Sequence, residues 1–562
     1  MKSAFLLKIN QLLLAFFAFG FVFGFPALYQ WRYGNGEVPF QFLANDAFYY
    51  LTITKNSTNL PFYSFDGSNP TNGFHPLWQF CLSALQFVGL FGRDGGEVLI
   101  SVFYVSLTLV SVSAGILCFS LTSRLAHIWV VFPFLIPGFS WLLAMPIAPD
   151  HLAFWSYANG MESPLSLFLF SLVIVVILTA SDRVGAVVAS ILMGLGVLAR
   201  LDDVFILLAI LAYLVRHTQE IGARRVAVGI VVPLVFILSY LAYNIVTVGV
   251  LMPMSGSAKA GLAIVNNFRE LVRLALPVFS WDEPMFSANR MLSYSSFSEN
   301  FIREFQMFFP MIVCSIYLFL RRRDWFQGFP DIFSYIAAGV LGKCFYNVAF
   351  VSLWHQGYWY YAVPVIFSNI LVALLVNELL NILPFWLDVG GYGRLLSGMV
   401  LFFFMTFLGN AFINHKCNER SGPQRQIFAE RESIKKEMQR LGCQTFLEFD
   451  DGFISWATGI KSVSGLGLAL DHEAFMARKN GTFLDVMERR GIRLAVASGD
   501  YANAFRNWLK GKKWLENQHL WGLLPKEFDS RTISEISFRE DIELLVVEIS
   551  SAKKSEAQDK QP

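Results

Sequence analysis

The chain has 562 residues, 55% of them hydrophobic and 15% charged, with 56 phenylalanines and a formal net charge of +2. Soluble domains carry roughly 25% charged residues, so much of this chain must be solvated by lipid, and its mean hydropathy of +0.49 agrees. A near-neutral balance without a long basic run excludes a nucleic-acid partner.

The N-terminus begins with Lys2 and Lys8 inside an apolar run that continues to the aromatics around Trp31. A signal peptide has a shorter apolar core, of ~7–15 residues, ending in small residues, so this run is expected to be a retained first span. Next comes Asn45 to Trp78, NDAFYYLTITKNSTNLPFYSFDGSNPTNGFHPLW, too polar to cross a bilayer. It falls in an expected first extracytoplasmic loop, 30–97. Apolar runs follow at 98–120, 128–146, 164–180, 185–200, 202–215, 226–249, 308–320, 333–351, 361–383 and 395–413. A crossing takes ~20 residues, and shorter helices serve where they are buried among others. The runs 185–200 and 202–215 meet at Arg200-Leu201-Asp202-Asp203 and predict a tight helical hairpin with a polar tip.

Segment 77–91 is decided by the positive-inside rule. If it does not cross, Arg124, Arg183, Arg216 with Arg224-Arg225, and Arg321-Arg322-Arg323 all share the side of Lys2 and Lys8. That gives about eleven transmembrane helices over 1–413, with 77–91 in or along the interface. The Asn45–Trp78 stretch, loop 147–163, loop 250–307 and HQGYWYY (355–361) then face the other side.

From 414 onward charges of both signs appear, and 414–552 reads as a small soluble α/β domain outside the cytoplasm. RQIFAERESIKKEMQRLG predicts one amphipathic helix. Strands are expected at Thr445–Phe449, Leu494–Ser498 and Ile542–Ile549, with a helical pattern over 471–490. Residues 553–562 are expected to be a disordered tail. The cysteines lack C-x-x-C spacing, so no zinc site is signalled; Cys417 and Cys443 would pair only in an oxidising compartment. No internal repeat of the transporter kind is visible.

Ionisable and polar groups gather on the non-cytoplasmic side: Asp46, Asp66, His75, Glu162, Arg200, Asp202, Asn244, Lys259, Tyr358 and Tyr360. Such residues at membrane level are functional candidates because burying them is expensive. Most also have a plainer reading. Asp46 suits the N-cap of a helix starting at Ala47, and Asp66-Gly67 suits a turn. His75 before Pro76 suits a hydrogen-bonded loop histidine, and Glu162 a helix N-terminus. Arg200 can snorkel or pair with Asp202 or Asp203, and the aromatics 358–361 can form an interfacial belt. The tail motif EFDDGF (448–453) reads as a strand and turn before it reads as a metal site.

The order of DAFYYL…FDGSNPTNGFHPLW, NGMESPL, LARLDD and NxxxxGxLMPxSGxxK resembles bacterial GT-C glycosyltransferases, relatives of the protein O-mannosyltransferases and the lipid A aminoarabinose transferases. The resemblance covers about 1–413. It implies an α-helical polytopic GT-C fold in the inner membrane and sugar transfer from a polyprenyl-phosphate-linked donor to an envelope glycan or lipid acceptor. In that scheme Asp46 is the base for the acceptor hydroxyl. Arg200, Lys259 and His75 would stabilise the leaving phosphate, and Glu162 would orient sugar hydroxyls or a cation. Relatives often carry an acidic pair where this chain has Asn45-Asp46. The amide weakens the case for a divalent cation, Mg²⁺ or Mn²⁺, which stays open as a cofactor, and leaves Asp66 or Glu162 as alternative bases. A lipid-linked-sugar transporter or flippase and a non-catalytic envelope assembly protein are the competing readings.

Overall fold

The computed structural model describes residues 2–33, 43–90, 95–122, 124–125, 157–180, 182–259, 294–323, 325–326, 329–351, 358–382, 422–449, 452–465, 467, 469–499, 502, 506, 533–539 and 544–549. The first helices are α1 (Lys2–Tyr33), α2 (Ala47–Asn56), α3 (Pro76–Phe87) and α4 (Gly95–Thr122). After them come α5 (Ser163–Thr179), α6 (Asp182–Ala199), a 3-10 turn (Leu201–Asp203), α7 (Val204–Arg216) and α8 (Ala223–Val248). Then follow α9 (Tyr294–Arg321), α10 (Ile332–Phe350), a second 3-10 turn (Tyr358–Tyr361) and α11 (Ala362–Ile382).

Helices thus occupy the apolar runs wherever these are described. Gln11–Leu28, Gly95–Thr122, Ala223–Val248, Ile332–Phe350 and Trp359–Leu380 are long and apolar enough to cross a bilayer, while Ser163–Thr179, Val184–Ala199 and Met307–Arg321 are shorter. The predicted spans 128–146 and 395–413 lie outside the described residues, as do Cys417, most of loops 147–163 and 250–307, and the tail 553–562. Segment 77–91 holds a helix of only 12 residues, a rise of about 18 Å and too short for a bilayer core.

The chain divides into two compact units. The first takes in Met1–Val38, Phe103–Leu238 and Ala260–Asn418. In it α5 packs on α6, α7 on α10, and α9 on both α10 and α11. Small residues set the closest approaches. A Cβ on Gly339 of α10 would lie 2.8 Å from the Ile206 Cα of α7, and one on Gly194 of α6 would lie 2.7 Å from the Pro233 Cβ of α8. The backbones therefore touch where those glycines stand.

The second unit takes in Pro39–Val102, Ser239–Lys259 and Glu419–Pro562. It contains α12 (Gly422–Ala429), α13 (Arg431–Arg440), α14 (Phe453–Thr458), α15 (His472–Asn480) and α16 (Phe483–Arg489). Its strands are β1 (Thr445–Glu448), β2 (Lys461–Ser464), β3 (Leu494–Ser498), β4 (Ile533–Arg539) and β5 (Leu544–Ile549). They form one mixed sheet in the order β2-β1-β3-β5-β4. β1 runs parallel to β2 and β3, while β5 runs antiparallel to β3 and β4. The three expected strands are β1, β3 and β5. The edge strands β2 and β4 were not expected, because KSVS and ISEISFR are too polar to read as buried runs.

One helix expectation needs correcting: the single amphipathic helix after Arg425 is α12 and α13, broken at Glu430, whereas the helical pattern over 471–490 is present as α15 and α16. Gly481 closes α15 in the left-handed conformation, φ 75°, as a helix-ending glycine does.

Nor does the sheet stand alone. Its unit includes the first polar stretch, which holds α2, a helix buried from Ala47 to Thr54. The Phe48 ring meets Phe453 at 4.7 Å and Trp456 at 5.3 Å. Thr52 Oγ1 donates to the Gly452 carbonyl at 3.0 Å, and Thr71 Oγ1 to the Leu470 carbonyl at 2.8 Å. Val248 and Met254 join the core of Leu447, Val463, Phe483 and Val547. The compact unit is therefore wider than the stretch 414–552 anticipated from composition.

Candidate functional site

In the first unit, five ionisable side chains far apart in sequence meet in a buried ring. Glu162 precedes α5, whose Pro164 has no N–H to lose at a helix start, and Glu162 makes no cap bond with its side chain. Its carboxylate instead accepts from Arg200 Nη1. Arg200 has extended backbone at the hairpin tip, and its Nε lies 2.9 Å from Asp202 Oδ1. Asp202 Oδ2 is 3.3 Å from Lys343 Nζ, which donates to Asp203 Oδ1 at 2.5 Å. Ser166 Oγ donates to the other Asp203 oxygen at 2.5 Å. Ser166 is one turn beyond Glu162, so the ring closes on α5. The Arg200 guanidinium also lies over the Tyr360 ring, 4.2 Å from its centre, a cation–π contact.

Access to this ring is uneven. The side chains of Lys343 and Asp203 are 0% exposed and those of Arg200 and Glu162 are 2% exposed, against 13% for Asp202. Opposite charges this deeply buried must be paired. The ring meets that need with three acids and two bases.

The remaining candidates of the described chain, Tyr358 apart, lie in the second unit. Asp46 is half-buried and precedes α2 with helical backbone, but its carboxylate does not cap the helix. Its neighbour Asn45 accepts from Gln424 Nε2. The Asp66 carboxylate builds a turn. It accepts from the Ser68 and Asn69 amides, both at 2.8 Å, from Ser64 Oγ at 3.0 Å and from Asn69 Nδ2 at 2.7 Å. Gly67 supplies the positive φ of 73°. His75 is half-buried beside Pro76, the first residue of α3, and its amide donates to Tyr50 Oη at 3.3 Å. Asn244 is buried near the end of α8, where its amide nitrogen donates to the Leu251 carbonyl at 3.1 Å. Lys259 ends the short helix Met254–Lys259 and Tyr358 opens the turn Tyr358–Tyr361; both side chains lie outside the described residues.

Glu448 of the EFDDGF motif accepts from the Ile454 amide at 2.6 Å and from Ser462 Oγ at 2.7 Å, holding α14 to β2. Asp450 and Asp451 lie outside the described residues. Among the described residues no three His, Cys, Asp or Glu side chains are grouped to hold a metal ion. Arg490 is bidentate to Asp471 at 2.6 and 2.9 Å and donates to Glu473 at 2.7 Å. Its hydrogen bond holds the Glu473 carboxyl below the usual glutamate range.

Sequence reasoning thus found Glu162, Arg200, Asp202 and Tyr360 but left out Lys343 and Ser166, and took Asp203 only as a partner for Arg200. Lys343 carried a usable signal, a lone cation inside the apolar run 333–351. Ser166 carried none. The sequence matches no protein-family model and no curated protein. Among solved structures the chain is similar to an oligosaccharyltransferase of Archaeoglobus fulgidus, crystallised with zinc and sulfate, at 14% identity over 90% of this chain and 71% of that one, with a TM-score of 0.47.

Proposed function

We propose that this chain is a GT-C membrane glycosyltransferase. It would move a sugar from a polyprenyl-phosphate-linked donor to an envelope glycan or lipid on the extracytoplasmic face of the inner membrane. Asp46 is the proposed general base. An acceptor hydroxyl ionises far above neutral pH and needs a carboxylate within hydrogen-bond reach as the sugar carbon becomes positive. The observation that carries the reading is the place of Asp46, half-buried at the head of a helix that is buried from Ala47 to Thr54. Asp66 is less suited to that role, because four hydrogen bonds already hold its oxygens in a turn. Arg200 is engaged by two carboxylates, so His75 and Lys259 are the proposed groups for the leaving phosphate.

The test is analysis of envelope glycans and lipid-linked sugars in cells carrying wild type, Asp46→Asn or no copy of the gene. The transferase reading expects the deletion to lose one glycan modification and accumulate a polyprenyl-phosphate sugar. Asp46→Asn should reproduce both while the protein still reaches the membrane. A normal glycan profile in the deletion would overturn the reading, and a normal profile in Asp46→Asn would remove the base assignment alone.

A further inference from the structure

In the second unit the segment Thr71–His75 is pinned at nearly every residue by tertiary contacts. Thr71 Oγ1 donates to the Leu470 carbonyl at 2.8 Å. The Phe74 carbonyl accepts from Tyr240 Oη at 3.4 Å, and the Phe74 ring stands 4.9 Å from that of Tyr63. The His75 amide donates to Tyr50 Oη at 3.3 Å. Between them Asn72, fully buried, holds a segment far along the chain. Its Oδ1 accepts from the Met254 amide at 3.1 Å, and its Nδ2 donates to the Met252 carbonyl at 3.4 Å. Met254 opens the short helix that ends at Lys259, and the first amides of a helix have no partner within it. Asn72 therefore caps that helix from outside, while Asn244 pins the Leu251 carbonyl just before it.

We propose that Asn72 is a positioning residue for the donor phosphate: it fixes the segments that carry His75 and Lys259 relative to each other, without touching the phosphate itself. The assignment rests on the transferase reading, in which those two groups stabilise the leaving phosphate, and adds what holds them in place. Both stand at the end of a short lever from Asn72. His75 is three residues along a chain that spans at most ~3.6 Å per residue, so it lies within about 11 Å. Lys259 is five residues beyond Met254, about 8 Å of helix. Groups that stabilise a leaving group must be set before its charge develops, and a misplacement of about 1 Å can lower a rate about 100-fold. Without the Asn72 side chain, the start of the Lys259 helix loses its cap and the His75 segment loses its tie to it.

The experiment uses the full chain in lipid nanodiscs, with undecaprenyl phosphate and undecaprenol as probes that share a tail and differ in the phosphate. Binding is measured for wild type, Asn72→Ala, Lys259→Ala and the double variant. Wild type should bind the phosphate more tightly than the alcohol, and Lys259→Ala should weaken that preference. Asn72→Ala should weaken phosphate binding about tenfold, the size of one lost hydrogen bond to a charged group, and leave undecaprenol binding unchanged. In the Lys259→Ala background the same substitution should give a smaller loss, because part of what Asn72 positions is already gone. Should Asn72→Ala fail to fold, Asn72→Ser takes its place with the same outcomes, since it leaves a hydroxyl in the buried site but is too short for both bonds. An equal loss in both backgrounds, or a loss shared by both probes, would make Asn72 merely structural and overturn the proposal. If Lys259→Ala loses the phosphate preference while the folded Asn72 variant keeps it, the proposal falls and the transferase reading stands. Wild type that binds the alcohol as well as the phosphate overturns the phosphate assignment and the proposal together.

Discussion

Lys343 and Asp203 stand 140 positions apart in sequence and meet at 2.5 Å with neither side chain exposed. The pair ties α10 to the turn between α6 and α7, and Ser166 extends the tie to α5. A buried ion pair is weak evidence of net stability, but breaking one is costly because it strands the surviving charge.

Removing one partner should therefore be worse than removing both. Lys343→Met is expected to destabilise the protein by about 3–5 kcal/mol, read as a lower midpoint in thermal unfolding of the detergent-solubilised chain. Lys343→Met with Asp203→Asn should recover most of that loss. Equal midpoints for the single and double variants would mean the charges are not coupled.

Gly339 lies one turn before Lys343 on the helix face that touches α7. A Cβ there would come within 2.8 Å of the Ile206 Cα and 2.9 Å of the Phe205 carbonyl oxygen, both backbone atoms that cannot yield. Gly339→Ala should push α10 off α7 and cost about 1–3 kcal/mol. Its effect should combine non-additively with that of Lys343→Met, because both act on one contact. Simple additivity in a double-mutant cycle would contradict this.

The Phe48 contacts with Phe453 and Trp456 make the first polar stretch and the C-terminal sheet one folding unit. Phe48→Ala should cost about 3–5 kcal/mol. Hydrogen exchange should show amides of both α2 and β1 losing protection together. Loss confined to α2 would show that the sheet folds by itself.

Arg490 holds the Glu473 carboxyl below its ordinary value, so the folded state binds that proton less readily than the unfolded chain does. The contribution is present above the unfolded value, about 4.3, and is lost as pH falls through the lower folded value. Glu473 is half exposed, so the effect should stay within about 1 kcal/mol. Acidification from about pH 5 should lower the unfolding midpoint of wild type more than that of Glu473→Gln. Parallel curves would refute the linkage.

Burial pushes the Cys443 thiol up to about 11, and only the thiolate reacts readily. Iodoacetamide at neutral pH should leave Cys443 unmodified in the folded protein and label it on unfolding, as peptide mass mapping would show. Rapid labelling under native conditions would mean the residue is not packed as described.

The sequence by itself determined the helices and several strands, because their signals are local. Apolar length marks α4 and α8, the polar tip at Arg200–Asp203 marks the hairpin, and short apolar runs mark β1, β3 and β5. It also supplied both readings of Asp66, since Asp-Gly announces a turn as well as a carboxylate. Tertiary structure alone decided which of these groups meet. Nothing in the local pattern around Ser166 or Lys343 says that both will find Asp203, because that depends on how glycines such as Gly339 let helices approach. Likewise α2 reads as a polar loop from its composition, but it is buried because Phe48 has Phe453 and Trp456 to pack against, some 400 residues later. Local propensity is written in neighbouring residues, whereas the desolvation that forces charges to pair and aromatics to pack acts between segments that only the fold brings together.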